Sequence, residues 1–225
     1  MPEKDEHRAT VTRYWDTVAD RYLELFRDEF QGKPFDRQVI TSFAAALKEG
    51  ASVCDAGCGP CGHVTRMLAD AGLDAVGVDI SSKCIELARK EQPALRFKVM
   101  DMARMDFPDG AFQGLVSYYS LHYQPKLSLN GVIREFARVL HPAGLLLIVV
   151  KEGNREGWIA DPMGSDQQVF WCDFQPEELQ SFVSANGFDV TGCEVREPLP
   201  EEIAVRRIYL SARRRVEHLR WADAR

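Results

Sequence analysis

A glycine-rich segment near the middle of the N-terminal half reads Val53-Cys54-Asp55-Ala56-Gly57-Cys58-Gly59-Pro60-Cys61-Gly62-His63. A short apolar segment leads into it, and residues 64–71 follow with apolar side chains at helical spacing. A glycine-rich turn between a strand and a helix is the place where open α/β sheets bind ligands, outside the carboxyl ends of their strands. We therefore expect a ligand site at this turn.

Three chemistries compete for the turn, and the first is dinucleotide redox chemistry. Gly57-x-Gly59-x-x-Gly62 matches the dinucleotide-binding fingerprint, with Asp79 about 20 residues further on. However, Asp55 precedes the first glycine, so its carboxylate would face a pyrophosphate, and two anions in a tight loop repel each other. The fingerprint alone is therefore weak evidence for a nicotinamide cofactor.

The second chemistry is that of cysteine. Cys58-Gly59-Pro60-Cys61 has the spelling of a thioredoxin dithiol. These two cysteines lie within the glycine fingerprint, and more strands are predicted around them than a thioredoxin-like domain has. We therefore interpret the match to the thioredoxin motif as a coincidence. A redox-sensitive pair of cysteines remains an alternative. Zinc would need a fourth ligand beside Cys58, Cys61 and His63, and the sequence offers none at a suitable spacing, so we predict no metal.

The third chemistry is S-adenosylmethionine, which carries a sulfonium cation and an amino-acid zwitterion but no phosphate. Close approach of this ligand still requires glycine in the turn. An acidic residue beside a cation is favourable, whereas beside a pyrophosphate it is not. Asp55 therefore favours S-adenosylmethionine as the cofactor.

Predicted strands and helices alternate from residue 51 onward. This alternation indicates an α/β fold with a mostly parallel sheet, right-handed crossovers and helices on both faces. The segment Leu145 to Val150 is apolar at every position, as expected of a central strand. Residues 7–48 read as two helices separated at Gln31-Gly32-Lys33-Pro34. The predicted strands cover residues 51–54, 75–78, 95–99, 112–117, 145–150, 189–195 and 204–212.

Further motifs follow the glycine turn in a fixed order. They are Val76-Gly77-Val78-Asp79-Ile80-Ser81, Val99-Met100-Asp101-Met102, Phe112 to Tyr123 with its Leu121-His122 pair, Arg134 to Gly144, and Phe174 to Val190. Together with Asp55-x-Gly57-x-Gly59, they resemble the class I, Rossmann-like S-adenosylmethionine-dependent methyltransferases of small-molecule type. The resemblance implies a three-layer sandwich around a mostly parallel seven-stranded sheet with an antiparallel last strand, plus an N-terminal helical cap. One departure is Cys61, which stands where the family's third glycine is usual.

The resemblance also implies roles for individual residues. Asp79 would bind both ribose hydroxyls, although it could instead only cap the helix that begins near Ser81, and Asp101 would contact the adenine amine. The full set of expected cofactor contacts is Tyr14, Tyr22, Asp55, Ala56, Gly57, Cys58, Gly59, Asp79, Ile80, Asp101, Met102 and Tyr118. The expected substrate contacts are Tyr119, Tyr123 and Trp171.

His122 is the predicted catalytic residue. It follows the fourth predicted strand, so its side chain could reach the mouth of the sheet and remove a proton from the acceptor. The ordinary pKa of histidine makes it neutral and basic at physiological pH. A structural role for a single histidine remains the alternative.

Composition and charge limit the class of protein. The 225 residues include 45% hydrophobic and 28% charged residues with a net charge of −6, so bulk binding to nucleic acid or to an anionic membrane is not expected. The charged N-terminus predicts no signal peptide, and the longest apolar run, Gly144 to Val150, is too short to span a bilayer. Six cysteines form no regular framework. We expect a soluble, reduced, cytoplasmic protein.

The sequence therefore predicts a single methyltransferase domain over residues 1–225. Its parts are a helical cap (1–48), a cofactor-binding core (51–150), a substrate-side insertion with the last strands (151–213) and a basic tail (214–225). We expect methyl transfer from S-adenosylmethionine to an oxygen, nitrogen or carbon atom of a small molecule. The alternatives are an RNA methyltransferase that uses the seven arginines of residues 206–225, and a cofactor-binding module without turnover.

Overall fold

The computed structural model describes residues 2–161, 163–200 and 202–216. The helices are α1 (Pro2–Phe26), α2 (Pro34–Ala45), α3 (His63–Asp70), α4 (Ser82–Glu91), α5 (Lys126–Val139) and α6 (Pro176–Ala185). The strands are β1 (Ser52–Ala56), β2 (Asp74–Asp79), β3 (Arg96–Val99), β4 (Phe112–Tyr118), β5 (Leu140–Lys151), β6 (Glu156–Ala160), β7 (Gln168–Cys172), β8 (Phe188–Arg196) and β9 (Arg207–Arg214). Among the described residues, no helix is both long and apolar enough to cross a membrane.

Seven strands form one sheet in the order β3-β2-β1-β4-β5-β9-β8. The first five of these pair in parallel, and β9 runs antiparallel to both β5 and β8. The mostly parallel sheet with an antiparallel last strand, predicted from the sequence, is confirmed. A separate hairpin of β6 and β7 lies in the segment that the sequence analysis assigned to the insertion without predicting strands.

Helices cover both faces of the sheet. Along β5, Leu146, Ile148 and Val150 belong to the core cluster that includes α5 and α6, whereas Leu147 and Val149 belong to the cluster that includes α2 and α3. This alternation follows from the two-residue period of a strand, which sends successive side chains to opposite faces. An apolar residue at every position from Leu145 to Val150 of β5 is therefore what a three-layer sandwich requires.

The N-terminal helix α1 lies across the carboxyl ends of the strands. Asp16 accepts hydrogen bonds from the Ser81 hydroxyl at 2.6 Å and from the backbone N–H of Lys83 at 3.2 Å, which fixes α1 to the start of α4. Gln167, in the loop before β7, donates to the Thr17 hydroxyl at 2.9 Å. Pro34 occupies the first turn of α2, where its missing N–H costs no hydrogen bond. The predicted helical cap is therefore observed, and it roofs the ligand-binding edge of the sheet.

Several boundaries differ from the predicted ones. Strand β5 begins at Leu140 instead of Leu145, and β9 begins at Arg207 instead of Ala204. Strand β5 begins earlier because Leu140, directly after α5, already pairs with Phe112 of β4. Strand β9 begins later because residues 204–206 form a loop. Residues 217–225, most of the predicted basic tail, lie outside the described residues.

Candidate cofactor and substrate site

A cavity of about 550 Å³ lies between α1 and the carboxyl ends of the parallel strands. This volume falls within the range of about 300–1,000 Å³ that is usual for small-molecule sites. Most of the residues predicted from the sequence line it, namely Tyr14, Tyr22, Asp55, Gly57, Cys58, Gly59, Asp79, Ile80, Asp101, Met102, Tyr118, Tyr119, Tyr123 and Trp171. The fold therefore brings these side chains together at the predicted edge of the sheet.

The glycine turn passes close to its neighbours and opens toward the cavity. Gly57 has a φ of 83°, and a β-carbon at this position would lie 2.3 Å from the β-carbon of Ser120, so no larger residue fits. A β-carbon on Gly59 would meet nothing within 4 Å. Both glycines line the cavity, so the backbone of this turn is directly accessible to a ligand.

The unusual end of the turn is explained by Gly62. This residue is the N-cap of α3 with a φ of 61°, and a β-carbon on it would lie 2.8 Å from the Phe97 ring. Cys61 is 4% exposed and packs with α1 and α4 through Leu23 and Leu87. Gly62 therefore occupies the position that requires glycine, one residue later than in the usual motif. Cys61 instead packs in the core beneath the cap.

Asp55, at the end of β1, has one oxygen without a partner. Its Oδ2 accepts a hydrogen bond from the Thr65 hydroxyl at 2.7 Å, while its buried Oδ1 has none among the described residues. Burial raises the pKa of Asp55 to about 7. A buried carboxylate oxygen without a donor is costly, and a cationic ligand group in the cavity would satisfy it.

Asp79, at the end of β2, holds the glycine turn in place. Its Oδ2 accepts from the backbone N–H of Gly59 at 3.0 Å, and its Oδ1 accepts from the backbone N–H of Ser81 at 2.9 Å. The helix cap itself is Ser81, whose hydroxyl accepts from the N–H of Cys84. Burial raises the pKa of Asp79 to about 6. The carboxylate therefore borders the cavity, tied to the loop rather than only to the helix start.

Asp101, after β3, meets the cap. Its Oδ2 lies 3.2 Å from Nε of Arg8 in α1, and its Oδ1 accepts from the backbone N–H of Ala103. Together with the acids that follow β1 and β2, Asp101 gives this half of the cavity an acidic wall. Since parallel strands end at one edge, three acids after three neighbouring strands necessarily converge there.

Aromatic side chains form the rest of the wall. Tyr14 donates a hydrogen bond to Asp161 at 2.7 Å, and Tyr22 packs on Trp15 with ring centroids 5.3 Å apart. Tyr123 touches Trp15 at 5.1 Å and Trp171 at 5.7 Å between centroids. The rings thus run without interruption from α1 to the β6–β7 hairpin.

The position of His122 corrects its predicted role as a base. The imidazole is fully buried, its Nδ1–H donates to the carbonyl of Cys172 at 2.5 Å, and its Nε2 accepts from the backbone N–H of Lys151 at 2.9 Å. Burial lowers its pKa to about 3. The 3-10 turn at Leu121–Tyr123 directs the ring under Trp171, on which it stacks at 4.5 Å, instead of into the cavity. Both nitrogens are occupied, so neither can take a proton from an acceptor.

Ala56 also differs from expectation, and several lining residues were not predicted. The side chain of Ala56 is fully buried, and its carbonyl accepts from the Ser120 hydroxyl at 2.6 Å. The unpredicted lining residues include Trp15, Lys33, Ser120, Lys151 and Arg207. For one of them the sequence contains a signal, because Lys151 directly follows the apolar run from Leu145 to Val150.

Comparison with known proteins identifies the class. Residues 53–144 match a family model described as a methyltransferase domain. Magnesium-protoporphyrin O-methyltransferase from Rhodobacter capsulatus is 33% identical over 150 residues, which cover 63% of this chain and 66% of that protein. The resemblance to class I S-adenosylmethionine-dependent methyltransferases seen in the sequence is therefore confirmed, and residues 53–144 match a methyltransferase domain.

Solved structures share the fold at low sequence identity. The 1,6-didemethyltoxoflavin-N1-methyltransferase of Burkholderia thailandensis, with S-adenosylhomocysteine bound, superposes with a TM-score of 0.73 at 21% identity, covering 94% of this chain and 90% of that one. The magnesium protoporphyrin IX methyltransferase of Synechocystis PCC 6803, with S-adenosylmethionine bound, gives 0.71 at 20%, covering 92% and 97%. Across eight curated relatives, this chain spans between 21% and 66% of the relative's length.

Proposed function

We propose that this protein transfers the methyl group of S-adenosylmethionine to an oxygen, nitrogen or carbon atom of a small molecule. The observation that carries the proposal is Asp55, which lines the cavity beside two further acids, Asp79 and Asp101, and whose buried Oδ1 has no partner among the described residues. An acidic wall suits a ligand with an ammonium group and hydroxyls, whereas a pyrophosphate there would be repelled.

The residues of the acidic half fit this cofactor. Asp55 would accept from its ammonium group, and Asp79 would accept from its ribose hydroxyls with the lone pairs that the loop leaves free. The glycine turn, open at Gly59, leaves room for close backbone approach. When bound, S-adenosylmethionine supplies an electrophilic methyl group on a sulfonium.

The chain's own contribution to the reaction is alignment. The aromatic wall excludes water, and burial raises the pKa of Tyr119 and of Tyr123, so both phenols stay protonated at neutral pH and are poor bases. With His122 engaged by the backbone, we infer that catalysis rests mainly on holding the acceptor in line with the methyl group. For an amine or another strong nucleophile, such positioning is chemically sufficient.

Support for a small acceptor comes from the relatives. Their names describe action on a magnesium protoporphyrin, a sterol and demethylmenaquinone, which are all small molecules. In addition, the cavity volume of about 550 Å³ is in the range usual for small-molecule sites. We propose that 1–48 serves as the lid, 51–150 as the cofactor core and 151–213 as the acceptor side of one domain.

The RNA alternative has less support in the described residues. Arg206 pairs with Glu152 at 2.6 Å, Arg215 pairs with Asp189 at 2.8 Å, and Arg213 donates to the carbonyl of Ala143. These arginines are engaged within the chain and do not form a free basic surface. Six free cysteines are consistent with a reduced, cytoplasmic setting, which we propose on that basis.

Methyl transfer from labelled S-adenosylmethionine tests the proposal. Protein is incubated with the labelled cofactor and, in parallel, with a small-molecule ultrafiltrate and with total RNA from the same cell extract. We expect label in the small-molecule fraction together with S-adenosylhomocysteine. Label in RNA would favour the RNA alternative, and cofactor binding without S-adenosylhomocysteine formation would favour a module without turnover.

A further inference from the structure

The charges that line the cavity are divided between its two ends. The acids Asp55 and Asp79 lie at the ends of β1 and β2, while Lys151 ends β5 and Arg207 begins β9. Lys33, just before α2, lies with its Nζ 5.8 Å from the centroid of the Tyr119 ring. The cofactor residues account for the acidic end and leave the basic end unexplained.

Lys151 packs against two aromatic rings. Its Nζ lies 4.8 Å from the centroid of the Trp171 ring and 5.8 Å from that of the Tyr119 ring. Within the described part of the chain, it forms no ion pair and its side chain forms no hydrogen bond. Burial, together with Arg207 and Lys33, lowers its pKa to about 8. A negative group in the cavity would remove this penalty.

Lys151 and Arg207 stand directly opposite each other. They form the last pair of the antiparallel register between β5 and β9. Like charges in such a pair destabilise a sheet, and here both side chains are largely buried. A buried pair of this kind costs stability unless a third group lies between the two charges, which makes it a candidate for function.

Two buried donors in the same region have no acceptor. They are Nε of Arg207 and the hydroxyl of Tyr119, neither of which has a partner in residues 2–161, 163–200 and 202–216. Tyr119 also has a φ of 54°, a left-handed backbone conformation that is uncommon for residues other than glycine. Residues in such conformations are often found at functional sites. Arg207 and Tyr119 both line the cavity near Lys151, whereas Asp55, whose Oδ1 is an acceptor without a donor, lines its acidic end.

Neighbouring acids are already engaged. Asp173 accepts from the indole N–H of Trp171 at 2.6 Å, and Glu202 pairs with Arg207 at 3.3 Å and with Arg196 at 2.9 Å. Glu29 pairs with Lys33 at 2.8 Å. Lys151, in contrast, has no ion pair among the described residues, and a carboxylate offers it one negative charge together with two oxygens that can accept from the unpartnered donors.

We propose that the methyl acceptor carries a carboxylate, bound by Lys151, Nε of Arg207 and the hydroxyl of Tyr119. The apolar part of the acceptor lies against Trp171. This assignment rests on the proposed methyl transfer, because it identifies the substrate class of the same cavity. Lys151 is then a specificity-determining residue that selects acids over neutral analogues.

Calorimetry with matched acids and amides tests the carboxylate site. Three aromatic carboxylates (benzoate, 2-naphthoate and indole-3-acetate) and the primary amide of each are titrated into protein saturated with S-adenosylhomocysteine. We expect at least one carboxylate to bind about 10- to 100-fold more tightly than its amide, the scale of hydrogen bonds to charged groups. If no carboxylate binds more tightly than its amide, whether or not anything binds, the proposal is overturned.

Variants assign the preference to its residues. Lys151→Met should abolish the preference without lowering the melting temperature, because it removes a like-charge contact, and Lys151→Arg should keep it. Tyr119→Phe removes only an unpartnered hydroxyl and should weaken the carboxylate several-fold in a stable protein. Lys48→Met, at an exposed lysine after α2, is the matched control and should bind as wild type does. A preference that survives Lys151→Met overturns the assignment, even if turnover falls.

Failure of the carboxylate site and failure of methyl transfer are distinguishable. The S-adenosylhomocysteine titration is measured first, on its own, and Lys151→Met should leave that affinity unchanged. Absence of S-adenosylhomocysteine binding would count against the proposed function alone, since the acid and amide titrations can be repeated without it. Normal cofactor affinity with no acid preference would count against the carboxylate site alone.

Discussion

Replacing His122 with alanine is expected to destabilise the protein. The imidazole bridges the Cys172 carbonyl at 2.5 Å and the Lys151 N–H at 2.9 Å, and it stacks on Trp171 at 4.5 Å. An unpaired buried polar group costs about 1–3 kcal/mol. Two such groups give a loss of about 2–6 kcal/mol in the free energy of unfolding, before lost packing is counted. Urea unfolding followed by tryptophan fluorescence measures this loss.

The pH dependence of stability provides an independent signature of the same residue. Burial lowers the pKa of His122 from 6.5 to about 3, so the folded state keeps the ring neutral while the unfolded state takes up a proton below pH 6.5. The stabilisation by neutral His122 is therefore present above that pH and is lost as the pH falls toward 3. At about pH 5, wild type should have lost about 2 kcal/mol through this residue. A His122→Asn variant should lack that part of the loss.

The control is His141→Ala, at an exposed histidine, which should change the free energy of unfolding by less than about 0.5 kcal/mol. A catalytic base gives the opposite pattern. If His122→Ala lowered single-turnover rate about 10²–10⁴-fold while stability and cofactor affinity stayed at wild-type values, the structural interpretation would be wrong.

Three further predictions concern the cofactor end of the cavity. Since burial raises the pKa of Asp55 to about 7, affinity for S-adenosylhomocysteine, measured by calorimetry between pH 5 and 8, should fall as the pH drops below about 7, and Asp55→Asn should flatten this profile. If Asp55→Asn kept the pH dependence of the wild-type affinity, a group other than Asp55 would be responsible for it. Gly57→Ala should lower both melting temperature and cofactor affinity because its β-carbon would overlap Ser120, whereas Gly192→Ala, with nothing within 4 Å, should do neither. Oxidation of Cys58 and Cys61 to a disulfide should distort the turn and weaken cofactor binding; equal affinity before and after verified disulfide formation would refute this.

The glycine turn and its acids could be predicted from the sequence because their information is local. Gly57, Gly59 and Asp79 each follow a strand within a few residues, and strand ends converge by topology. Ala56 was predicted as part of the same motif, yet its side chain points into the core, since neighbouring residues of a strand face opposite ways. Residue type and spacing therefore predict which segments reach the edge of the sheet. They predict less reliably which side chains of those segments point into the cavity.

The basic end could not be predicted, because its residues meet only through strand pairing. Lys151 and Arg207 become neighbours in the antiparallel register of β5 and β9, and neither belongs to a local motif. The orientation of His122 depends on the 3-10 turn after β4 and on the backbone of β7, both far from its sequence neighbourhood. The β6–β7 hairpin, which brings Trp171 to the cavity, was not predicted either.

Calorimetric titration with S-adenosylhomocysteine and with NADH distinguishes an S-adenosylmethionine site from a dinucleotide site in this cavity. The acidic wall of Asp55 and Asp79 predicts binding of S-adenosylhomocysteine and none of NADH. Asp79→Ala should weaken binding by about 1–3 kcal/mol, since it removes charge-assisted hydrogen bonds. Binding of NADH without binding of S-adenosylhomocysteine would contradict the account.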